Sequence, residues 1–127
     1  MKTNLRKSPP LSIRHEFVEF IPELLANRTL YISIAFATAA HQCFCGCGNK
    51  VVTPIHPTGW KLLFDGDTVS LHPSIGNWGF RCRSHYWILR DRAVWARPMS
   101  EQEIAAVRRK DRRLTETYFS DVLSDEK

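Results

Sequence analysis

The 127 residues contain four cysteines, and three of them fall within five positions: Cys43, Cys45 and Cys47, followed 35 residues later by Cys82. That distribution constrains the fold more than any other feature of the chain. Residues two apart are poorly placed to bridge one another without strain, which argues against a disulfide framework. Four soft thiolates in a small domain match a closed tetrahedral zinc shell. On a straight strand positions 43 and 47 would stand roughly 13 Å apart, whereas two sulfurs on one zinc are about 3.8 Å apart, so the stretch must turn. Gly46 and Gly48 supply the backbone freedom for that turn. The string Cys43-Phe44-Cys45-Gly46-Cys47-Gly48 therefore reads as a metal knuckle, and Cys82 ties a distant stretch back to it, which strengthens folding in so small a chain. His41 and His85 stand close enough in sequence to replace one thiolate. Four sulfurs remain the favoured set.

Length permits one compact core. With 43% hydrophobic and 24% charged residues the composition is that of a folded globular protein. No apolar run approaches the roughly 20 residues of a membrane span, and the opening residues carry Pro9, Pro10 and charges in place of an apolar signal core, so the expected location is the cytoplasm, with no membrane partner. The net charge of +5 raises the question of nucleic acid. Its placement argues against that partner: Lys2, Arg6 and Lys7 lie in an N-terminal arm and Arg108, Arg109, Lys110, Arg112 and Arg113 on one helix, which leaves the body nearly neutral.

Patterning predicts an α+β fold, mostly β: a small antiparallel meander stapled by the knuckle, with a C-terminal helix. Residues 1–11 read as a flexible arm, 12–98 as the zinc-binding β-rich domain and 99–127 as helix and tail. Strands are expected over 13–20 and 30–36, the latter from the alternation of Leu30, Ile32, Ile34 and Phe36. Asp65-Gly66 marks a hairpin between 60–64 and 68–71, and Asp91-Arg92 a weaker one between 86–89 and 93–96. Ser100 and Glu103 form a capping box, and Ile104, Val107, Leu114 and Tyr118 recur at helical spacing, predicting a helix over 101–118.

A second chemical signal lies between Ser70 and Trp87. Ser, His, Asn and Gly in this stretch are the materials of acyl transfer: a hydroxyl nucleophile, an imidazole base and oxyanion donors. The structural alternative is a core of Trp78, Phe80, Tyr86, Trp87 and Trp95 with 73–77 as its turn. Ser84 and His85 are neighbours, so on a strand they face opposite sides and cannot form a dyad together. Ser74 is the better partner for His85, because Pro73 stiffens the approach and Gly76 permits a sharp bend, with Asn77 able to donate to an oxyanion. Ser84 stays the runner-up.

Taken together, His41-x-Cys-x-Cys-Gly-Cys-Gly48, Trp60-Lys-Leu, Asp65-Gly66, Val69-Ser-Leu, Pro73-Ser-Ile-Gly-Asn-Trp78, Cys82-x-Ser-His-Tyr-Trp-Ile88 and Val94-Trp-Ala96 resemble the bacterial domain-of-unknown-function family 6527 over about residues 14–96. Its members accompany ubiquitin-like conjugation cassettes. The resemblance implies a zinc-containing serine-type peptidase that processes or deconjugates a ubiquitin-like protein in a bacterial, antiphage-defence pathway, with that protein and its activating and carrier enzymes as partners. Carried over, Cys43, Cys45, Cys47 and Cys82 would hold the metal, and the reactive pair would come from Ser74, Ser84 and His85. The segment from Ser100 onward falls outside the resemblance.

Three functions are thus in competition. The leading one is a hydrolase in which His85 activates Ser74, Asn77 and loop amides hold the oxyanion, and zinc is structural. The second is a non-catalytic zinc adaptor that docks the conjugation enzymes or the ubiquitin-like protein. The third, a metallohydrolase using zinc-bound water, is weakened by the electron-rich thiolate shell.

Overall fold

The computed structural model of the chain describes residues 8–125; most of the expected N-terminal arm and the last two residues lie outside them. The chain divides into two compact units, Met1–Arg97 and Pro98–Lys127. Among the described residues the first contains β1 (Leu11–Ser12), β2 (Arg14–Phe17), β3 (Thr29–Ser33), β4 (Thr38–Gln42), β5 (Lys50–Pro54), β6 (Lys61–Phe64), β7 (Val69–Gly76), β8 (His85–Ile88) and β9 (Arg92–Trp95), and the second contains α1 (Glu101–Asp125). The protein is mostly β with one C-terminal helix, the class that the patterning predicts.

The strands form two sheets, in the orders β1-β9-β8-β7-β6 and β2-β3-β4-β5. In the first, β6 to β9 are a true meander of antiparallel neighbours. The second departs from a pure antiparallel meander, because β2 and β3 run parallel. Parallel neighbours need a crossover of about a dozen residues, and 18–28 provides one. Apolar side chains of both sheets share one core: Leu30, Ile32 and Val51 from one, Leu71, Ile75, Tyr86 and Ile88 from the other.

Local chemistry explains where the elements stop. The strand expected over 30–36 ends at Ser33, whose buried hydroxyl donates to the Glu19 carbonyl (2.7 Å) and accepts from the Phe36 amide (3.2 Å). The chain then turns through Ala37 at φ 50°, which leaves Ile34 and Phe36 exposed. The β6–β7 hairpin is held by the Asp65 carboxylate, which accepts from the Asp67 and Thr68 amides at 2.8 and 2.6 Å, with Gly66 at φ 97°. The β8–β9 turn places Arg90 and Asp91, not Asp91 and Arg92, in the left-handed region; Leu89 and Arg92 close it with reciprocal backbone hydrogen bonds. In α1 the capping box forms as read: Ser100 Oγ accepts from the Glu103 amide (3.1 Å) and Glu103 Oε1 from the Ser100 amide (2.8 Å). The helix continues past 118 to Asp125.

Candidate functional site

The knuckle follows directly after β4. Gly46 and Gly48 sit at φ 95° and 86°, the Gly46 amide donates to the Cys43 carbonyl (3.0 Å) and the Cys43 amide to the Asn49 carbonyl (2.8 Å), so the segment folds back on itself. The second contributor is the loop between β7 and β8, closed by a hydrogen bond from the Asn77 amide to the Ser84 carbonyl (2.8 Å). It delivers Cys82 to the knuckle. The four Sγ atoms lie within 4.8 Å of one another, with separations of 3.4 Å for Cys43–Cys45, 3.8 Å for Cys43–Cys82 and 3.7 Å for Cys47–Cys82. Sulfurs sharing one tetrahedral ion at about 2.3 Å each stand close to 3.8 Å apart, so the donor set fits a thiolate-bound cation. Burial raises the Cys43 thiol above its ordinary range, partly offset by its hydrogen bond with Ser84. A thiolate there needs a cation beside it. All four cysteines are free.

Behind the sulfurs lies a buried polar network. Ser84 Oγ stands 3.1 Å from Cys43 Sγ and 3.4 Å from Cys82 Sγ. The Asn77 side-chain amide donates to Ser84 Oγ (3.0 Å) and Tyr86 Oη (3.3 Å), with Cys43 Sγ at 3.7 Å. Tyr86 Oη accepts in addition from the Phe44 amide (3.4 Å) and lies 2.7 Å from His41 Nε2. His41 is fully buried, and desolvation holds its pKa down to about 3, so the ring is neutral. His41 thus turns toward Tyr86 and His85 toward Ser74, while the metal-competent cluster contains sulfur alone.

On the outer face of the first sheet, Ser74 Oγ lies 2.8 Å from His85 Nε2. The two come from paired strands, where Gly76 stands opposite His85 and Ile75 opposite Tyr86, after a register shift between Leu71 and Ile75. The other ring nitrogen, Nδ1, lies 2.7 Å from the Arg97 carbonyl oxygen. A carbonyl can only accept, so Nδ1 carries the proton and Nε2 presents its lone pair to the Ser74 hydroxyl. The Trp78 ring packs edge-on against His85 at 5.0 Å between centroids. It also covers Gly76 so closely that a Cβ there would clash with Trp78 Nε1.

The structure therefore brings Ser74 and His85 together and sets Ser84 and Asn77 among the cysteines. The Arg97 carbonyl and the Tyr86–His41 pair were not legible in the sequence. A main-chain oxygen has no residue signature, and Tyr86 and His41 read only as an aromatic core and a spare ligand.

A hydroxyl hydrogen-bonded to an imidazole whose tautomer is fixed from behind is an arrangement that serine hydrolases use. The sequence agrees with that class: the model of the family described as bacterial ubiquitination-like system serine protease (BubE) matches residues 17–96, and the chain belongs to this family. No curated protein and no solved structure matches it. Among the described residues no helix is long and apolar enough to cross a membrane.

Proposed function

We propose that the protein is a zinc-containing serine peptidase that cleaves at the C-terminus of a ubiquitin-like protein, maturing it or releasing it from targets. The observation that carries this reading is the relay Ser74 Oγ–His85 Nε2, 2.8 Å, and His85 Nδ1–Arg97 O, 2.7 Å. In it, Ser74 is the nucleophile. Its oxygen attacks the scissile carbonyl carbon while its proton passes to His85 Nε2, and His85 then gives that proton to the leaving amine. Water, deprotonated by the same nitrogen, hydrolyses the acyl ester and restores the hydroxyl. The Arg97 carbonyl holds the imidazole in the productive tautomer and balances the charge that forms on it.

Cys43, Cys45, Cys47 and Cys82 would hold the zinc, which supplies a closed structural cross-link when bound. Ser84 and Asn77 then act as supports of that site. This role suits their contacts better than those of nucleophile and oxyanion donor, because both side chains are already engaged with sulfur and with each other. The partners in this reading are the ubiquitin-like protein and its activating and carrier enzymes, and the setting is the bacterial cytoplasm.

The test is labelling with a fluorophosphonate probe, followed by cleavage of a fusion to the ubiquitin-like protein of the same system. Wild type and Ser84→Ala should label and cleave, and Ser74→Ala should do neither. A wild type that binds the ubiquitin-like protein but neither labels nor cleaves would instead establish the adaptor.

A further inference from the structure

The outer face of the first sheet continues well beyond the Ser74–His85 pair. Along β7, Leu71 and Ile75 are buried while Ser70, His72 and Ser74 are only partly so, which places these three on the outward side. Register extends the same face sideways. Leu63 of β6 pairs with Ser70, Val94 of β9 pairs with Trp87 of β8, and the His72 and Trp87 rings meet at 6.0 Å between centroids. The same face holds a groove of about 510 Å³, bounded by Leu63, Ser70, His72, Val94, Arg90 and Arg92, its nearest lining residue along β7 being two positions from Ser74.

The chemistry of that groove is specific. Leu63 and Val94 give it an apolar floor, Arg90 and Arg92 stand at one end, and among the described residues no acidic one lines it. The arginines are placed by the fold. The Ser70 hydroxyl accepts from the Arg90 amide (2.9 Å), which pins the β8–β9 turn to β7, and Arg92 opens β9 opposite Ser12. Asp65 lies near enough to Arg90 for the guanidinium to lower its carboxyl, so Arg90 is partly offset. Arg92 is the second positive charge at this end, exposed on the outward side of β9 beside the buried Ala93. From Ser70 to Ser74 a regular strand would span on the order of 13 Å, and the register shift shortens it.

Resting on the peptidase reading, we infer that this groove is the substrate-selecting surface of the same site. It takes an extended, apolar stretch of polypeptide whose acidic side chain, about three to five residues from the scissile bond, is bound by Arg92. The charge at the far end gives direction and register to a chain that the apolar floor alone would bind in any register.

Binding separates this inference from the chemistry. Fluorescein-labelled nonapeptides, blocked at both ends, carry one Glu moved through a Gly/Val/Leu background, with Gln and Lys counterparts, and are titrated against Ser74→Ala by anisotropy. The expected result is a Glu position that binds about tenfold more tightly than Gln, weakened by salt, with Arg92→Gln erasing the preference and Arg92→Glu inverting it toward Lys. Equal affinities for Glu, Gln and Lys at every position, or a preference indifferent to both Arg92 variants, would overturn it, as would no binding at all. Mass-spectrometric mapping of wild-type cleavage of the best peptide then places the bond relative to the Glu; a distance outside three to five residues also refutes the inference. Charge-selective binding without cleavage would count against the peptidase reading and not against the groove.

Discussion

Ser84 and His85 are adjacent in the chain and belong to opposite sides of the sheet: Ser84 Oγ lies 3.1 Å from Cys43 Sγ, and His85 Nε2 lies 2.8 Å from Ser74 Oγ. One peptide unit thus joins the cysteine cluster to the Ser74–His85 pair. Whatever fixes the first residue limits the freedom of the second, so in the proposed mechanism an ion held by the four sulfurs would also help to aim His85.

Removal of the metal should therefore act on both stability and chemistry. Purified protein should carry one zinc per chain by elemental analysis. Chelation, or Cys82→Ser, should lower the thermal midpoint by about 10 °C or more and depress fluorophosphonate labelling in parallel. Iron in place of zinc, or a midpoint indifferent to chelation, would refute the zinc assignment.

Ser74→Ala and Ser84→Ala should part company in the opposite sense on stability. Loss of the Ser74 hydroxyl should leave the midpoint nearly unchanged while abolishing labelling. Loss of Ser84 leaves the Asn77 amide short of an acceptor beside the sulfurs and should cost about 1–2 kcal/mol in denaturant unfolding, with labelling retained.

Asn77→Asp is close to isosteric and replaces a donor by an acceptor facing Cys43 Sγ, Ser84 Oγ and Tyr86 Oη. Like charge beside thiolates should weaken metal affinity about 10- to 100-fold. Competition against a chromophoric chelator reads this directly, and wild-type affinity in the variant would show that the amide does not support the site.

Gly76→Ala introduces a Cβ where the Trp78 indole already stands. The ring must move, and with it the wall against His85. Expected are a red-shifted tryptophan emission and a labelling rate reduced at least tenfold, for a stability loss of about 1–3 kcal/mol. Unchanged labelling would mean that Trp78 has no part in holding the imidazole.

The Asp65 carboxylate is held down to about 2 by the Thr68 amide first, then the Thr68 hydroxyl and the Asp67 amide. Folded pKa below unfolded means a contribution to stability that is present above the usual carboxylate value and lost as pH falls from 3.8 toward 2. A side-chain carboxyl titration by NMR should show this group as one of the last to protonate; a midpoint at 3.8 would contradict the turn geometry.

How much of this was readable in advance varies with the kind of signal. The knuckle was legible because thiolate chemistry and two glycines leave few alternatives. The β6–β7 hairpin and the capping box were legible because each is fixed by residues within four positions. By contrast β4, with Thr38, Ala39, Ala40, His41 and Gln42, carries almost no strand propensity; it is a strand because β3 and β5 flank it. The end of β3 at Ser33 depends on a carbonyl fourteen residues away, beyond the reach of local pattern. Opposite faces for Ser84 and His85 followed from strand alternation, but the engagement of Asn77 with Ser84 required the loop between β7 and β8 to be closed in three dimensions.

The group behind His85 Nδ1 is a peptide oxygen, so it carries no titratable proton and no side chain that substitution can delete. Acidification cannot switch the imidazole's orientation off through it. The support for this imidazole is thus a path of the backbone, invisible to any search for an acidic partner.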